Sequence, residues 1–166
     1  MDITLAILDS WDRQCRIVNA VAGQINETNA NALPSADGWP ISRHLAHMHN
    51  TRKYFLGQFD QELADSLGNV FPNGWDAPIT DLDAIRTMLV ESGVAVRTVV
   101  RKALEEGNEK VGFYDNAILY LQHMVWHEGW HVGLIFLALR LAGQEPSEEW
   151  EEEKVWGEWR TEVWEG

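Results

Sequence analysis

The chain has 166 residues, a length that fits one domain with its own hydrophobic core, and 45% of them are hydrophobic against 23% charged. No stretch approaches the roughly 20 consecutive apolar residues that a membrane span requires. The 26 acidic residues outnumber the 13 basic ones, which gives a formal net charge of −13. Such a charge repels polyanions, so nucleic acid and anionic membranes are excluded as predicted partners.

Four long helices are predicted. The five prolines leave three long proline-free spans, and in each of them apolar residues recur at three- and four-residue steps. The predicted helices cover residues of about 4–25, 41–59, 81–106 and 116–142. The connection over 60–79 carries at most one short helical turn, at its start. The predicted caps and stops are Asp2 or Thr4, Thr80, Asp115, Gly107 and Gly143.

The tail after Gly143 differs in composition, because it is acidic and contains tryptophans at positions 150, 156, 159 and 164. Ser147 and the glutamates after it predict a tail helix over about 147–157. We expect the tryptophans to pack on the bundle or on a partner subunit, which favours a homodimer. The predicted class is all-α, a four-helix bundle with a short C-terminal helical extension, in one domain over residues 1–166.

The N-terminus carries no basic leader and no small-residue cleavage site, so the sequence predicts a cytoplasmic protein. Cys15 is the single cysteine, and it cannot form an internal disulfide or a multi-cysteine zinc site. Its spacing with apolar residues of the first helix predicts a buried thiol rather than a nucleophile. Any metal must therefore be bound by histidines and carboxylates.

The fourth predicted helix contains the segment HEGWH, from His127 to His131. Residues four apart lie about 40° apart around a helix, so His123, His127 and His131 form one stripe. Because the stripe continues through apolar residues, we expect it to point into the bundle. An inward pair of histidines at this spacing favours a metal, since two ring nitrogens can converge on one ion.

The second predicted helix offers the missing ligand in the segment HLAHMHNTRKYF. His44 and His47 are three residues apart and share a face, whereas His49 lies about 200° from His47 and is expected in solvent. The predicted metal ligands are His47, His127 and His131. Three imidazoles with an open position for water form a Lewis-acid centre.

The same HExxH pattern also occurs in zinc metalloproteases, which need a third ligand after the motif. Leu134 and Leu137 exclude the extended form of that motif, and only the glutamates of the tail keep a protease open as an alternative. No β-rich segment precedes the motif to bind an extended peptide.

The segments WPISRHLAHMHNTRKYFL and HMVWHEGWHVGLI, about 80 residues apart, resemble the DinB/YfiT-like superfamily. Residue by residue, the resemblance places the helix-two ligand on His47 and the helix-four ligands on His127 and His131. It departs where that family often has His, Arg and Gln, since this chain has Trp130, Val132 and Leu134.

The resemblance implies an up-down-down-up four-helix bundle, often a homodimer, that binds zinc or nickel, with iron and manganese as further candidates. It also implies a low-molecular-weight thiol as co-substrate, as in bacillithiol-type S-transferases and mycothiol-dependent isomerases. A coordinated thiol is deprotonated at neutral pH, and the thiolate attacks an electrophile.

The remaining residues near the motif have simpler interpretations. Glu128 is either a group that orients an imidazole or a base acting on metal-bound water, and it can equally face a neighbouring helix or solvent. His123 and His44 are expected to flank the ligands. Core positions are predicted for Tyr120 and Trp126, and close helix packing at Gly129 and Gly133.

Three functional classes follow from these residues. The first, which we favour, is a metal-dependent transferase or hydrolase that activates a small thiol or water for a small-molecule substrate. The second is a metal-binding bundle without catalysis. The third is the metallopeptidase.

Overall fold

The computed structural model describes residues 2–107 and 110–160. Its long helices are α1 (Ile3–Gln24), α2 (Ile41–Leu56), α4 (Leu82–Glu105) and α5 (Ala117–Leu141), and a short helix, α3 (Gln61–Ser66), lies between α2 and α4. The protein is all-helical, as the sequence predicts. None of the described helices is both long and apolar enough to cross a membrane.

The helix ends follow from capping. The carboxylate of Asp2 accepts the N–H of Leu5 at the start of α1. Two predicted caps were wrong by one residue: Asp81 caps α4 in place of Thr80, and Asn116 caps α5 in place of Asp115. In both cases the side-chain oxygen that reaches the free N–H groups of the first turn belongs to the next residue.

Glycines end α4 and α5 where the sequence predicts. Gly107 and Gly143 have φ values of 65° and 67°, in the left-handed region that residues with a side chain rarely adopt.

The tail differs from the predicted continuous helix. Ser147 caps α6 (Glu148–Glu151), but a π-helical turn (Glu152–Trp156) and a 3₁₀ turn (Gly157–Trp159) follow it. Val155 is buried in the core, and the carboxylate of Glu158 accepts from Arg16 of α1 at 2.8 Å. The described tail therefore packs on its own chain. Trp164 lies outside the described residues.

The order of the helices follows from two apolar clusters at opposite ends of the bundle. One cluster contains residues from the C-terminal halves of α1 and α5 and from the N-terminal halves of α2 and α4. The other cluster contains residues from the opposite halves of the same four helices. Since α1 and α5 cross from one cluster to the other in one direction and α2 and α4 in the opposite direction, the bundle runs up, down, down, up.

Between the two apolar clusters lies a layer of buried polar side chains, to which every long helix contributes. Its members are Gln14, His49, Arg52, Ser92 and Glu128. Buried polar groups are stable only when they are paired, so this layer fixes how the helices meet. The candidate site lies beside it, where α2 faces α5.

Candidate metal centre

Three imidazoles from α2 and α5 converge on one point. The Nε2 atom of His127 lies 3.2 Å from Nε2 of His47 and 3.2 Å from Nε2 of His131. Ligand nitrogens about 2.05 Å from a tetrahedral zinc ion are separated by about 3.3 Å, so the observed spacing fits a single ion. The structure brings together the three residues that the sequence predicts as ligands, and they form one group that could hold a metal.

The imidazoles are in the protonation state that a metal requires. Burial, with a smaller contribution from neighbouring cationic groups, lowers the pKa of His47 and of His127 to about 4. Burial and the surrounding histidines lower the pKa of His131 to about 3. Because a histidine must be neutral to donate its lone pair, all three are ready to bind an ion at neutral pH.

The two histidines expected to flank the ligands have different roles. His44 is buried, and its Nδ1 lies 2.8 Å from Nδ1 of His131, so it holds the ring that presents Nε2 to the centre. His123 is exposed, and its Nδ1 lies 2.7 Å from the hydroxyl of Tyr114. Its ring centroid is 6.3 Å from that of His127, so it adjoins the ligands without a hydrogen bond to them.

Glu128 lies away from the three imidazoles. Its carboxylate accepts from Arg52 through Nε at 2.6 Å and through Nη2 at 3.0 Å, and Gln14 donates to it at 3.1 Å. The side chain is fully buried. Of the interpretations open in the sequence, these contacts favour the one in which Glu128 faces neighbouring helices, and they leave neither oxygen free to act as a base.

Arg52 connects three helices around this carboxylate. Its Nη1 donates to the carbonyl of Leu89 on α4 at 2.7 Å, and its guanidinium lies 5.0 Å from the ring centroid of Trp11 on α1. This role of Arg52 was not predicted from the sequence. The sequence did contain a signal for this role, because Arg52 is a basic residue at an inward-facing position of α2.

His49 is fully buried, so the expectation that it faces solvent was wrong. Its two ring nitrogens lie 2.8 Å from the carbonyl oxygen of Met88 and 3.0 Å from that of Gly68. Burial lowers the pKa of His49, and the two carbonyls oppose that effect by favouring the protonated ring. The residue fastens α2 to α4 and to the loop after α3.

Two tryptophans outside the long helices lie against the rings of His47 and His131. The Trp39 ring is 5.3 Å from the His47 ring, edge to face, and lies nearly parallel to the His131 ring at 6.3 Å. The Trp75 ring is also 5.3 Å from the His47 ring. These indoles make a largely apolar roof over these two ligands.

Four further residues of α5 had a predicted burial or packing role. Tyr120 is fully buried, as predicted, but Trp126 is 70% exposed and stacks on Trp130, which also lies in solvent, so a core position for Trp126 was wrong. Gly129 and Gly133 are exposed, and apart from the adjoining backbone of α5 and the neighbouring residues in the chain, no described heavy atom would lie within 4 Å of an added Cβ. Close packing at these glycines is therefore not found within the described chain.

An apolar groove of about 900 Å³ lies between α1 and α5, away from the three ligands. His123 and Trp126 stand on one side of it and Trp159 of the tail on another. Cys15 of α1 is half-buried, and burial raises the pKa of its thiol to about 12. The thiol is therefore protonated and poorly nucleophilic, in agreement with the sequence.

The sequence was compared with protein-family models, with curated proteins and with solved structures. Neither the curated proteins nor the solved structures contain a match to it. The model of the DinB family matches residues 1–160, which is nearly the whole chain and includes all three histidines of the centre. The protein belongs to the DinB family.

Proposed function

We propose that the protein binds a divalent metal at His47, His127 and His131 and uses it as a transferase or hydrolase that activates a small thiol or water. Zinc or nickel is favoured by the all-imidazole ligand set, with iron and manganese as further candidates. The observation that supports this function most directly is that Nε2 of His127 lies 3.2 Å from Nε2 of His47 and 3.2 Å from Nε2 of His131. A bound divalent metal lowers the pKa of a coordinated water or thiol toward neutrality.

The protein's own residues supply positioning and shielding. His44 holds the His131 ring from behind through the 2.8 Å contact between their Nδ1 atoms. The hydroxyl of Thr51 lies 3.4 Å from Nε2 of His47, where it can hydrogen-bond a molecule that enters the centre. Trp39 and Trp75 shield part of the centre from bulk water, and His47 and His127 remain partly exposed. Glu128, whose carboxylate is paired with Arg52, is not available to accept a proton from the substrate.

The peptidase alternative would need a glutamate of the tail as the third metal ligand, and the described site has none. The described group of residues that could hold a metal takes its third member from α2, as His47, and contains no carboxylate. Glu128, which a peptidase of this kind uses as its base, is paired with Arg52. The transferase or hydrolase is accordingly the function we propose.

Metal analysis tests the first half of this proposal. Protein purified without a histidine tag should carry a stoichiometric divalent metal, and His47→Ala should lose it. His123→Ala is the matched control, because that histidine adjoins the centre without pointing a nitrogen into it. Retention of stoichiometric metal by His47→Ala would show that the ligand set is wrong.

A conjugation assay tests the second half. The metal-loaded protein is incubated with an electrophile and with several low-molecular-weight thiols, and product formation is compared with that of His47→Ala. Metal-dependent turnover supports the transferase. Full metal occupancy with no turnover of any thiol and no hydrolysis would favour a bundle that binds metal without catalysis.

The expected homodimer and cytoplasmic location are also proposals. The exposed face of α5 presents Trp126, Trp130 and Leu137 beside the two bare glycines, which is the kind of surface that proteins cover by association. Light scattering after size-exclusion chromatography measures the oligomeric state. A monomer at micromolar concentration would contradict the dimer.

A further inference from the structure

Arg43 is the cation closest in sequence to a metal ligand on α2, and it stands one helical turn before His47. Residues four apart share a helix face, so the guanidinium lies on the same side of α2 as the imidazole. Its positive charge is one of the causes that lower the pKa of His47. In a chain with a formal net charge of −13, this places a local positive charge beside the centre.

The Arg43 guanidinium is held by the two tryptophans that roof the site. Its central carbon lies 4.7 Å from the ring centroid of Trp39 and 5.5 Å from that of Trp75. Contact of this kind with indole rings holds the cation in place and leaves N–H groups of the guanidinium for hydrogen bonds. The Arg43 side chain is 15% exposed, so it is shielded enough for its charge to act strongly.

The hydrogen bonds of Arg43 are incomplete. Nη2 donates to the carbonyl of Trp75 at 3.0 Å and to the carboxylate of Asp76 at 3.4 Å. Asp76 is 95% exposed, and a long contact to such a group contributes little. The buried Nε has no partner among the described residues. The guanidinium can therefore accept another anion in place of the weakly bound Asp76.

We propose that Arg43, packed against Trp39 and Trp75, binds a carboxylate of the small molecule whose reacting group lies at His47, His127 and His131. A carboxylate matches the planar guanidinium edge in shape and charge. A dianion such as a phosphate monoester would need more donors than one arginine beside two indoles supplies. The inference rests on the proposed function and names its substrate class, a small thiol that also carries a carboxylate.

Two thiols of nearly equal size test this proposal. 3-Mercaptopropionate carries the carboxylate, and 3-mercaptopropionamide replaces it with a neutral amide. Each is titrated into the protein loaded with cobalt(II), and binding is followed by the absorption band of sulfur–cobalt charge transfer. The expected result is a preference for the carboxylate of about tenfold, the lower end of the range for hydrogen bonds to a charged group.

Three variants assign the preference to Arg43. Arg43→Met should bind both thiols with equal affinity. Asp76→Asn removes the competing carboxylate from an exposed position, so it should increase the preference even if Arg43→Met folds poorly. Arg101→Met is the control, because it removes the same charge from an exposed position near the C-terminal end of α4 and should leave the preference as it is.

The outcomes separate this inference from the function beneath it. Equal binding of both thiols to the parent protein, or an unchanged preference in Arg43→Met, would overturn the role of Arg43 and leave thiol binding at the metal intact. A cobalt-loaded protein that shows no charge-transfer band with either thiol would overturn the thiol-activating function, and the inference with it.

Discussion

Consecutive residues of α5 contribute to different parts of the protein. His127 faces α2 at the candidate centre, and Glu128 faces the bundle interior, where it pairs with Arg52. The cause is the helix itself, because neighbouring side chains diverge by about 100°. Glu128, the residue that makes the segment resemble a protease motif, therefore belongs to the buried polar layer and links α5 to α1 and α2.

Removal of one partner from this buried pair should be costly. We expect Glu128→Ala to lower the free energy of unfolding by about 3–5 kcal/mol, because it leaves the Arg52 charge buried and uncompensated. Urea denaturation of the metal-free protein measures this. Asp9→Ala, which breaks an exposed pair with Arg13, should cost about 0.5 kcal/mol.

A double variant sharpens the test of the ion pair. Arg52→Met combined with Glu128→Leu removes both charges and should recover much of the loss, since neither is then left alone. If Glu128→Ala proves no more destabilising than Asp9→Ala, the two groups are not a desolvated pair.

The contacts of His44 and His123 predict unequal effects on metal affinity. His44→Ala removes the group that orients His131 and should weaken metal binding by about 10- to 100-fold. His123→Ala should have a much smaller effect, because its nitrogen bonds to Tyr114 instead of a ligand. Competition with a chromogenic chelator measures both affinities, and equal losses would contradict the assignment.

At the scale of the helices, glycines show where backbones approach closely. A Cβ on Gly93 of α4 would lie 2.9 Å from the sulfur of Cys15 on α1 and 3.2 Å from Nη1 of Arg52 on α2. The carbonyl of Gly93 also accepts from the indole of Trp11 at 2.9 Å. Three helices therefore meet at this residue, next to the polar layer.

Alanine at two glycines should change stability in opposite directions. Gly93→Ala should destabilise the protein by about 1–3 kcal/mol, because the crossing has no room for a methyl group. Gly133→Ala lies on an exposed helix face with no neighbour within 4 Å and should stabilise it by about 0.5–1 kcal/mol through lower backbone entropy. Thermal denaturation compares the two variants. A stabilised Gly93→Ala would mean that the helices cross less closely.

Periodicity and caps in the sequence were sufficient to predict the four long helices, but not which face of α5 is buried. The apolar residues of α5 surround the helix, so no polar stripe marks its outer side, and Trp126 was wrongly predicted to be in the core. The His127 and His131 pair could be predicted because a spacing of four residues is local. The burial of His49 could not be predicted from the sequence, because its partners are the carbonyls of Met88 and Gly68, which are distant in sequence.

At the scale of the whole molecule, the histidines should make stability depend on pH. Histidine titrates near pH 6.5 in an unfolded chain, whereas the pKa values of His44, His47 and His127 are about 4 and that of His131 about 3. Between these values the unfolded chain binds protons that the folded chain does not. Stability of the metal-free protein is therefore greatest above pH 6.5 and is lost as the pH falls toward 4.

Denaturation at a series of pH values between about 7 and 5 measures this dependence. The same series on His131→Gln is the control, because surface carboxylates titrate equally in both proteins and cancel in the comparison. The variant should show a shallower loss of stability. Identical slopes in the two proteins would contradict the lowered pKa of His131.

The ion pair of Arg52 and Glu128 joins α2 to α5 beside the point where His47 meets His127. Because this link contains no metal, the two helices are held together before any ion arrives. Zinc fingers differ in this respect, since they fold only as they take up their ion. In stopped-flow mixing, metal uptake by this protein should be a simple bimolecular step whose rate rises in proportion to ion concentration. A chelator should withdraw the ion and leave the far-ultraviolet circular dichroism unchanged.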